Sequence, residues 1–133
     1  MSKKLSILSF NSVADSEAGS ELEIKRPDGS GTGLFFTVLG SSANVVLNHT
    51  NIIVRQYRAK ESIAKKSGKE VPFEVQENLD QNAEAAAVRV TGWRGVDEPF
   101  EAGLLAKVLR QNPEFSEQIV AFSSDLANFT KKA

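Results

Sequence analysis

One histidine and no cysteine limit the catalytic and metal chemistry open to this chain of 133 residues. His49 lies between Asn48 and Thr50, and no further nitrogen, sulfur or carboxylate ligands stand at matching spacing around it. A zinc site needs such ligands in a matched set. A serine nucleophile would need an adjacent histidine as its base, and His49 is the single candidate. We therefore predict that His49 lies on a helix surface and that the chain has no metal-binding residue.

The glycine-rich stretch Asp28–Gly33 has the composition of a phosphate-binding loop but not its pattern. A P-loop has Lys-Ser or Lys-Thr after its last glycine, so that backbone amides and the lysine hold the phosphates. Here Gly33 is followed by Leu34-Phe35-Phe36, which is typical of a strand. Pro27 and the pair Asp28-Gly29 favour a tight turn. The stretch therefore predicts a hairpin turn and no cofactor.

The paired carboxylates Asp97 and Glu98 are the remaining candidates for acid–base catalysis. They stand just before Pro99, where a helix is expected to start and where acids are favoured by the helix dipole. That position explains them without catalysis. We predict no catalytic residue and expect that the chain is not an enzyme.

A basic stretch between residues 55 and 69 is the one feature that suggests nucleic acid. It contains Arg55, Arg58, Lys60, Lys65, Lys66 and Lys69, interrupted by a single acid, Glu61. Cations also stabilise the negative end of a helix, and Tyr57 is the only nearby aromatic residue that could stack on a base. The preferred interpretation is a solvated helix face without a nucleic-acid partner, and the alternative is a small nucleic-acid-binding regulator.

Hydrophobic periodicity predicts an α+β fold, mainly α, with an N-terminal β-hairpin followed by about four helices packed as one small domain. The hairpin covers residues 21–39, and the helices cover roughly 42–67, 73–91, 100–111 and 113–129. Residues 1–20 are predicted to form a flexible arm, because small polar residues dominate them. The domain is predicted to end near residue 130.

Several local signals set the predicted helices. Ser41 or Ser42 is expected to cap the first helix, and Gly68 to end it. Asn112 and Pro113 favour a helix start. Two sets of apolar residues recur at helical spacing: Val46, Ile53 and Tyr57 in the first helix, and Phe115, Ile119, Phe122, Leu126 and Phe129 in the last. Both predict buried stripes, the second as part of the domain's own core.

Composition and charge restrict where the chain works. No apolar run approaches the ~20 residues of a membrane span, the N-terminus lacks a signal-peptide pattern, and cysteine is absent. These features predict a cytoplasmic protein without a membrane partner. Residues 1–70 hold ten Lys/Arg against seven Asp/Glu, whereas residues 71–133 hold six against ten. Opposite halves of this kind are compatible with self-association.

The order of short motifs in the second half of the chain resembles the tail assembly chaperones of long-tailed phages. That family typically has a Gly-Trp pair after an alanine-rich helix, a Phe before a short helix, a Pro that starts the last helix, and a terminal Asn-Phe pair. The signature and packing residues are Gly92, Trp93, Phe100, Pro113, Phe122, Asn128 and Phe129. They are expected to mark the fold, and none is expected to be catalytic.

The resemblance implies a protein of the host cytoplasm that is absent from the mature virion. Such chaperones bind the long, hydrophobic tape-measure protein, keep it soluble and bring tail-tube subunits to it during tail morphogenesis. Many have a longer form, made by a programmed frameshift, with an extra tube-binding domain; Lys131-Lys132 could be encoded by a slippery run of adenines. The alternative to a chaperone is a structural tail or connector component of the virion.

Overall fold

The structure, a computed structural model, describes residues 4–70 and 74–130 and confirms a mixed α+β fold that is mainly helical. Three antiparallel strands and five helices follow one another along the chain, with short 3-10 turns at Ile7–Ser9 and Leu126–Phe129. In chain order the elements are α1 (Ser12–Ala18), β1 (Ser20–Lys25), β2 (Gly31–Val38), α2 (Asn44–Ser67), α3 (Val75–Ala87), β3 (Val90–Arg94), α4 (Ala102–Gln111) and α5 (Pro113–Ser124).

The predicted hairpin is present, formed by β1 and β2. Leu22 pairs with Phe36 in antiparallel register, and a bulge follows at Glu23. The Asp28 carboxylate accepts hydrogen bonds from the amide and hydroxyl of Ser30 at 2.9 and 2.6 Å, and these bonds lower the pKa of Asp28. Gly29 takes a positive φ of 90°. The turn thus forms through the local chemistry that favoured it in the sequence.

A third strand replaces the end of the predicted helix 73–91. The helix ends at Ala87, and Val90–Arg94 pairs with β2 so that Trp93 lies opposite Phe36. Val, Thr and Trp favour strands, and Gly92 disfavours a helix. Sheet pairing therefore wins over continuation of the alanine-rich helix. The predicted start of that helix, at residue 73, lies outside the described residues, and the structure begins α3 at Val75.

Part of the predicted N-terminal arm is a docked helix. In α1, Ser16 is fully buried, and its carbonyl accepts a hydrogen bond from the Gly40 amide at 3.0 Å. Gly40 permits this approach, because a Cβ there would clash with the Ser16 side chain and lie 3.0 Å from its Cα. The prediction of an arm over residues 1–20 therefore needs correction at Ser12–Ala18; residues 1–3 lie outside the described part of the chain.

Helix α2 receives its N-terminal cap from α1 rather than from a neighbouring serine. Ala43 is the N-cap residue, and the Glu17 carboxylate accepts a hydrogen bond from the Asn44 amide at 2.6 Å. A carboxylate there complements the positive end of the helix dipole. The predicted cap residue Ser41 instead donates its hydroxyl to the Ser123 carbonyl at 2.9 Å. Gly68, with φ 68°, ends α2 as predicted.

The core lies between the sheet and helices α3, α4 and α5. Its buried members are Ile24, Phe36, Val38, Ala83, Ala86, Val90, Leu105, Leu109 and Ile119. Ala83 and Ala86 are buried, and their small side chains let α3 approach its neighbours closely. Gln118 of α5 also bonds the amide and carbonyl of Lys25 at 2.8 and 2.9 Å, so that side-chain bonds from α5 satisfy backbone groups of the edge strand β1.

The last helix is shorter than the predicted 113–129. Pro113 occupies its first turn as predicted, but α5 ends at Ser124 and a separate 3-10 turn follows. Asp125 causes the change, because its carboxylate accepts a hydrogen bond from the Ala127 amide at 3.1 Å and caps the new turn. Asn112 precedes α5, but its side chain donates to the Val108 carbonyl of α4 at 2.9 Å rather than capping α5.

Candidate protein-binding surface

The first group of signature residues forms an aromatic cluster at β3. Trp93 packs edge-on against Phe100, with ring centroids 5.0 Å apart, and tilted against Phe36 at 6.2 Å. The Trp93 indole Nε1 donates to the Glu98 carbonyl at 2.8 Å, which closes the loop before α4. Gly92 lies beside Trp93 on the same strand. These residues hold the edge of the sheet to α4, which is a packing role.

The second group of signature residues joins α5 to the 3-10 turn that follows it. The Phe122 and Phe129 rings meet edge-to-face at 5.6 Å, and Phe129 is buried. The Asn128 side chain donates to the Phe122 carbonyl at 3.0 Å, and the same carbonyl accepts from the Asp125 amide at 3.3 Å at the helix end. Pro113 stands at the opposite end of α5. Of the predicted apolar seam in this region, Leu126 is the exposed member.

A buried polar node, which the sequence reasoning missed, connects β2, α3 and α5. Arg89 donates from Nε to the Ser123 hydroxyl at 3.0 Å and from Nη1 to the Ala85 carbonyl at 2.6 Å. The Ser123 hydroxyl in turn donates to the Leu39 carbonyl at 2.7 Å. Burial lowers the pKa of the Arg89 guanidinium. A lone arginine after an alanine run gives no sequence signal for such a node, and its three bonded partners indicate a structural role.

The residues considered for catalysis are not brought together. His49 is half-buried in α2, whereas Asp97 and Glu98 are exposed in the loop between β3 and α4. Within the described part of the chain, no group of three or more His, Asp or Glu side chains is placed to hold a metal ion. The glycine-rich stretch forms the hairpin turn and the start of β2.

Helix α2 carries the most unusual surface of the described chain. Its 24 residues span about 36 Å at 1.5 Å per residue, yet only Val46 and Ala64 are buried. Six large apolar side chains remain exposed, and together they define the α2 apolar surface: Val45, Leu47, Ile52, Val54, Tyr57 and Ile63. The predicted buried stripe is therefore only partly correct, since Val46 is buried, Ile53 half-buried and Tyr57 exposed.

The contacts of α2 explain why its apolar residues stay exposed. Near its N-terminus, Val46 packs with Leu39 and Ala43 in a small separate cluster. Near its C-terminus, Ala64 is buried and Lys60 forms an ion pair with Glu77 of α3. The helix thus touches the rest of the domain mainly near its two ends. Between residues 51 and 59 every residue of α2 is exposed except Ile53, which is half-buried.

The exposed part of α2 contains one subset of apolar residues on a single face. Val45, Ile52 and Ile63 are separated by seven and eleven residues, which at about 100° per residue places them within about 20° of one another. The exposed cations Arg55, Arg58, Lys60, Lys65 and Lys66 lie on the same helix, with Glu61 as its one acid. A long helix that presents apolar and cationic side chains to solvent has the composition of a protein-binding surface.

Comparison with known proteins adds no assignment. No family model matches the chain, and neither a curated protein nor a solved structure matches it at a significant level. No helix within residues 4–70 and 74–130 combines the length and apolarity needed to cross a membrane.

Proposed function

We propose that this protein is a tail assembly chaperone of a long-tailed phage, which binds the tape-measure protein and keeps it soluble. The observation that supports this proposal is the α2 apolar surface, whose six large side chains are between 41% and 68% exposed in the described chain. Three of them, Val45, Ile52 and Ile63, share one face of the helix. Apolar patches of this kind mark sites where soluble proteins bind partners. The ordered motifs that resemble the chaperone family supply the identity of the partner.

The signature residues and the apolar residues of α2 differ in their packing, and this difference supports the proposal further. Phe129 is buried against Phe122, and Trp93 packs against Phe36 and Phe100, so these residues hold the fold together. Helix α2 leaves one face open from Val45 to Ile63. Such a helix can lie against the apolar side of a helical segment in a long partner, and its cations would favour segments that carry acidic side chains.

Recruitment of tail-tube subunits is part of the proposed role, with a frameshifted longer form as the means. The lysine codons at positions 131 and 132 are the proposed slippery site, and both residues lie outside the described part of the chain. The gene sequence tests this element alone. A run of adenines followed by an overlapping open frame would support it, and a gene lacking either feature would remove it without affecting α2.

Co-expression with the tape-measure protein tests the proposal. We expect the partner to move into the soluble fraction and to be retained with this chain in a pull-down. Ile52→Ser should reduce the retained partner about tenfold, because burial of an isoleucine side chain contributes ~1.5–3 kcal/mol. Leu126→Ser is the matched control, since Leu126 is 49% exposed against 48% for Ile52 and lies outside α2.

Other results would contradict or redirect the assignment. A tape-measure protein that stays insoluble, or one that the Ile52→Ser variant retains as well as the wild type, would contradict binding through α2. Detection of the chain in purified particles by mass spectrometry would favour a structural tail component. Gel shifts with a steep salt dependence would favour nucleic acid as the ligand of the α2 cations.

A further inference from the structure

The N-terminal segment before α1 is apolar and exposed. Four large side chains define this N-terminal apolar segment: Leu5, Ile7, Leu8 and Phe10. Their exposed fractions run from 67% for Phe10 to 87% for Leu8. The segment has local structure: the Ser6 side chain accepts a hydrogen bond from the Leu8 amide at 3.3 Å and caps a 3-10 turn. The C-terminal end of the segment is held in place, since it leads into α1, which is docked through Ser16.

An open cleft of matching chemistry lies between the sheet and α4. Its volume is about 150 Å³, and its apolar lining consists of Leu34, Phe36, Trp93, Val96, Leu104 and Val108. A cavity of about 150 Å³ lined by apolar side chains accepts a benzene ring. The cleft therefore has room for one aromatic side chain, and Phe10 is the most exposed phenylalanine of the described chain.

The charges around the cleft complement those of the segment. Glu98 lines the cleft, and Asp97 and Glu101 are exposed on either side of it in the sequence. Lys107 lies on α4 between the lining residues Leu104 and Val108, and Arg94, which follows Trp93, is paired with Glu21. The three acids therefore outnumber the one remaining cation on the segments that line the cleft. The apolar segment follows directly after Lys4. A cation at the edge of an apolar segment fits an acidic rim around an apolar cleft.

We propose that the N-terminal apolar segment of one copy docks into the cleft of a second copy, with the Phe10 ring inside. The segment and the cleft are both exposed in the single chain, and the contact between two copies would remove both from solvent. This interface is separate from α2 and does not depend on the proposed chaperone role. It gives a specific route to self-association, beyond the unequal charge of the two halves.

Trp93 reports directly on this contact, because it is the single tryptophan of the chain and lines the cleft. We expect the purified full chain to associate as its concentration rises in analytical ultracentrifugation, with a parallel blue shift of the Trp93 emission. A chain that remains monomeric with unchanged emission would overturn the proposal. Association without any change in the Trp93 emission would also overturn it, because the copies would then meet through a surface other than the cleft.

Substitutions on the two surfaces test the pairing. Phe10→Ser should raise the concentration needed for association at least tenfold, whereas Val75→Ser, at 65% exposure against 67% for Phe10, should leave it unchanged. Val96→Glu should weaken association to the same extent from the cleft side. Val96 is 43% exposed, so the fold should tolerate the charge, which circular dichroism checks.

A mixture of the two variants gives the decisive result. The Phe10→Ser chain keeps an intact cleft, and the Val96→Glu chain keeps an intact segment. One contact can therefore form between them, and we expect a mixed dimer at concentrations where each variant alone is monomeric. A mixture that stays monomeric while the wild type associates would overturn the proposal and place self-association on another surface.

Discussion

At the scale of single residues, the Arg89–Ser123 node shows how few polar groups hold three elements together. The Ser123 hydroxyl is fully buried and bonds both Arg89 and the Leu39 carbonyl. Ser123→Ala would leave a buried guanidinium nitrogen and a carbonyl without this partner, at a cost of ~1–3 kcal/mol in the free energy of unfolding. Urea denaturation measures the change, and Ser124→Ala, on the exposed side of the same helix, should change stability by less than ~0.5 kcal/mol.

Acid should weaken the side-chain contact between Glu21 of β1 and Arg94 of β3, which crosses the central strand β2. Arg94 donates to the Glu21 carboxylate at 2.8 Å and lowers the pKa of that carboxyl. A carboxyl whose pKa is lower in the folded chain adds stability above its unfolded pKa, and this stability is lost as pH falls through the folded value. Both groups are exposed, so the effect should be small.

The pH effect is measured by urea denaturation at pH 6 and pH 3, on the wild type and on Glu21→Gln. We expect the wild type to lose slightly more stability between these pH values than the variant, which lacks the titrating carboxyl. Equal losses would show that the Glu21–Arg94 pair contributes nothing measurable. The other lowered carboxyls, Glu23 and Asp28, remain in both proteins and cancel in the comparison.

At the scale of elements, the docking of α1 depends on one close backbone approach. Gly40→Ala would place a methyl group against Ser16, and we expect a loss of ~1–3 kcal/mol or undocking of α1. The matched control is Gly92→Ala, where an added Cβ meets no atom within 4 Å; its effect should stay within ~0.5 kcal/mol. Urea denaturation compares the two, and an equal response would contradict the close contact at Gly40.

The elements that could be predicted from sequence are those fixed by local chemistry. The hairpin follows from Asp28-Gly29, the end of α2 from Gly68, and the start of α5 from Pro113. Strand β3 was missed, because five residues after an alanine-rich helix give little signal and their pairing depends on β2, which is distant in sequence. The docking of α1 was missed for a similar reason, since its signal is the missing side chain of Gly40.

The candidate site was harder to predict than the fold. Periodicity showed that α2 carries apolar residues, and the natural inference was a buried stripe. Periodicity does not show what covers a face, however, and the structure leaves Ile52 and Tyr57 exposed. The signature residues behave in the opposite way, because Trp93 and Phe129 pack inside the domain. The residues that carry the family resemblance and the residues of the α2 apolar surface are thus different sets in this chain.

At the scale of the whole molecule, the sheet and three helices form a small core, and the long helix α2 presents most of its surface to solvent. The middle of α2 has few buried contacts, so its amides should exchange with solvent faster than those of the core around Ile119. Under the proposed function, the tape-measure protein covers this surface of α2 when it binds, and the helix becomes more ordered.

Hydrogen exchange, followed by mass spectrometry on the free chain and on its co-purified complex, tests this central claim most directly. We expect amides of residues 45–63 in α2 to exchange at least tenfold more slowly in the complex, while those of β2 and α5 stay unchanged. Protection confined to the sheet or to α5, or unchanged exchange along α2 in a stable complex, would contradict binding through the α2 apolar surface.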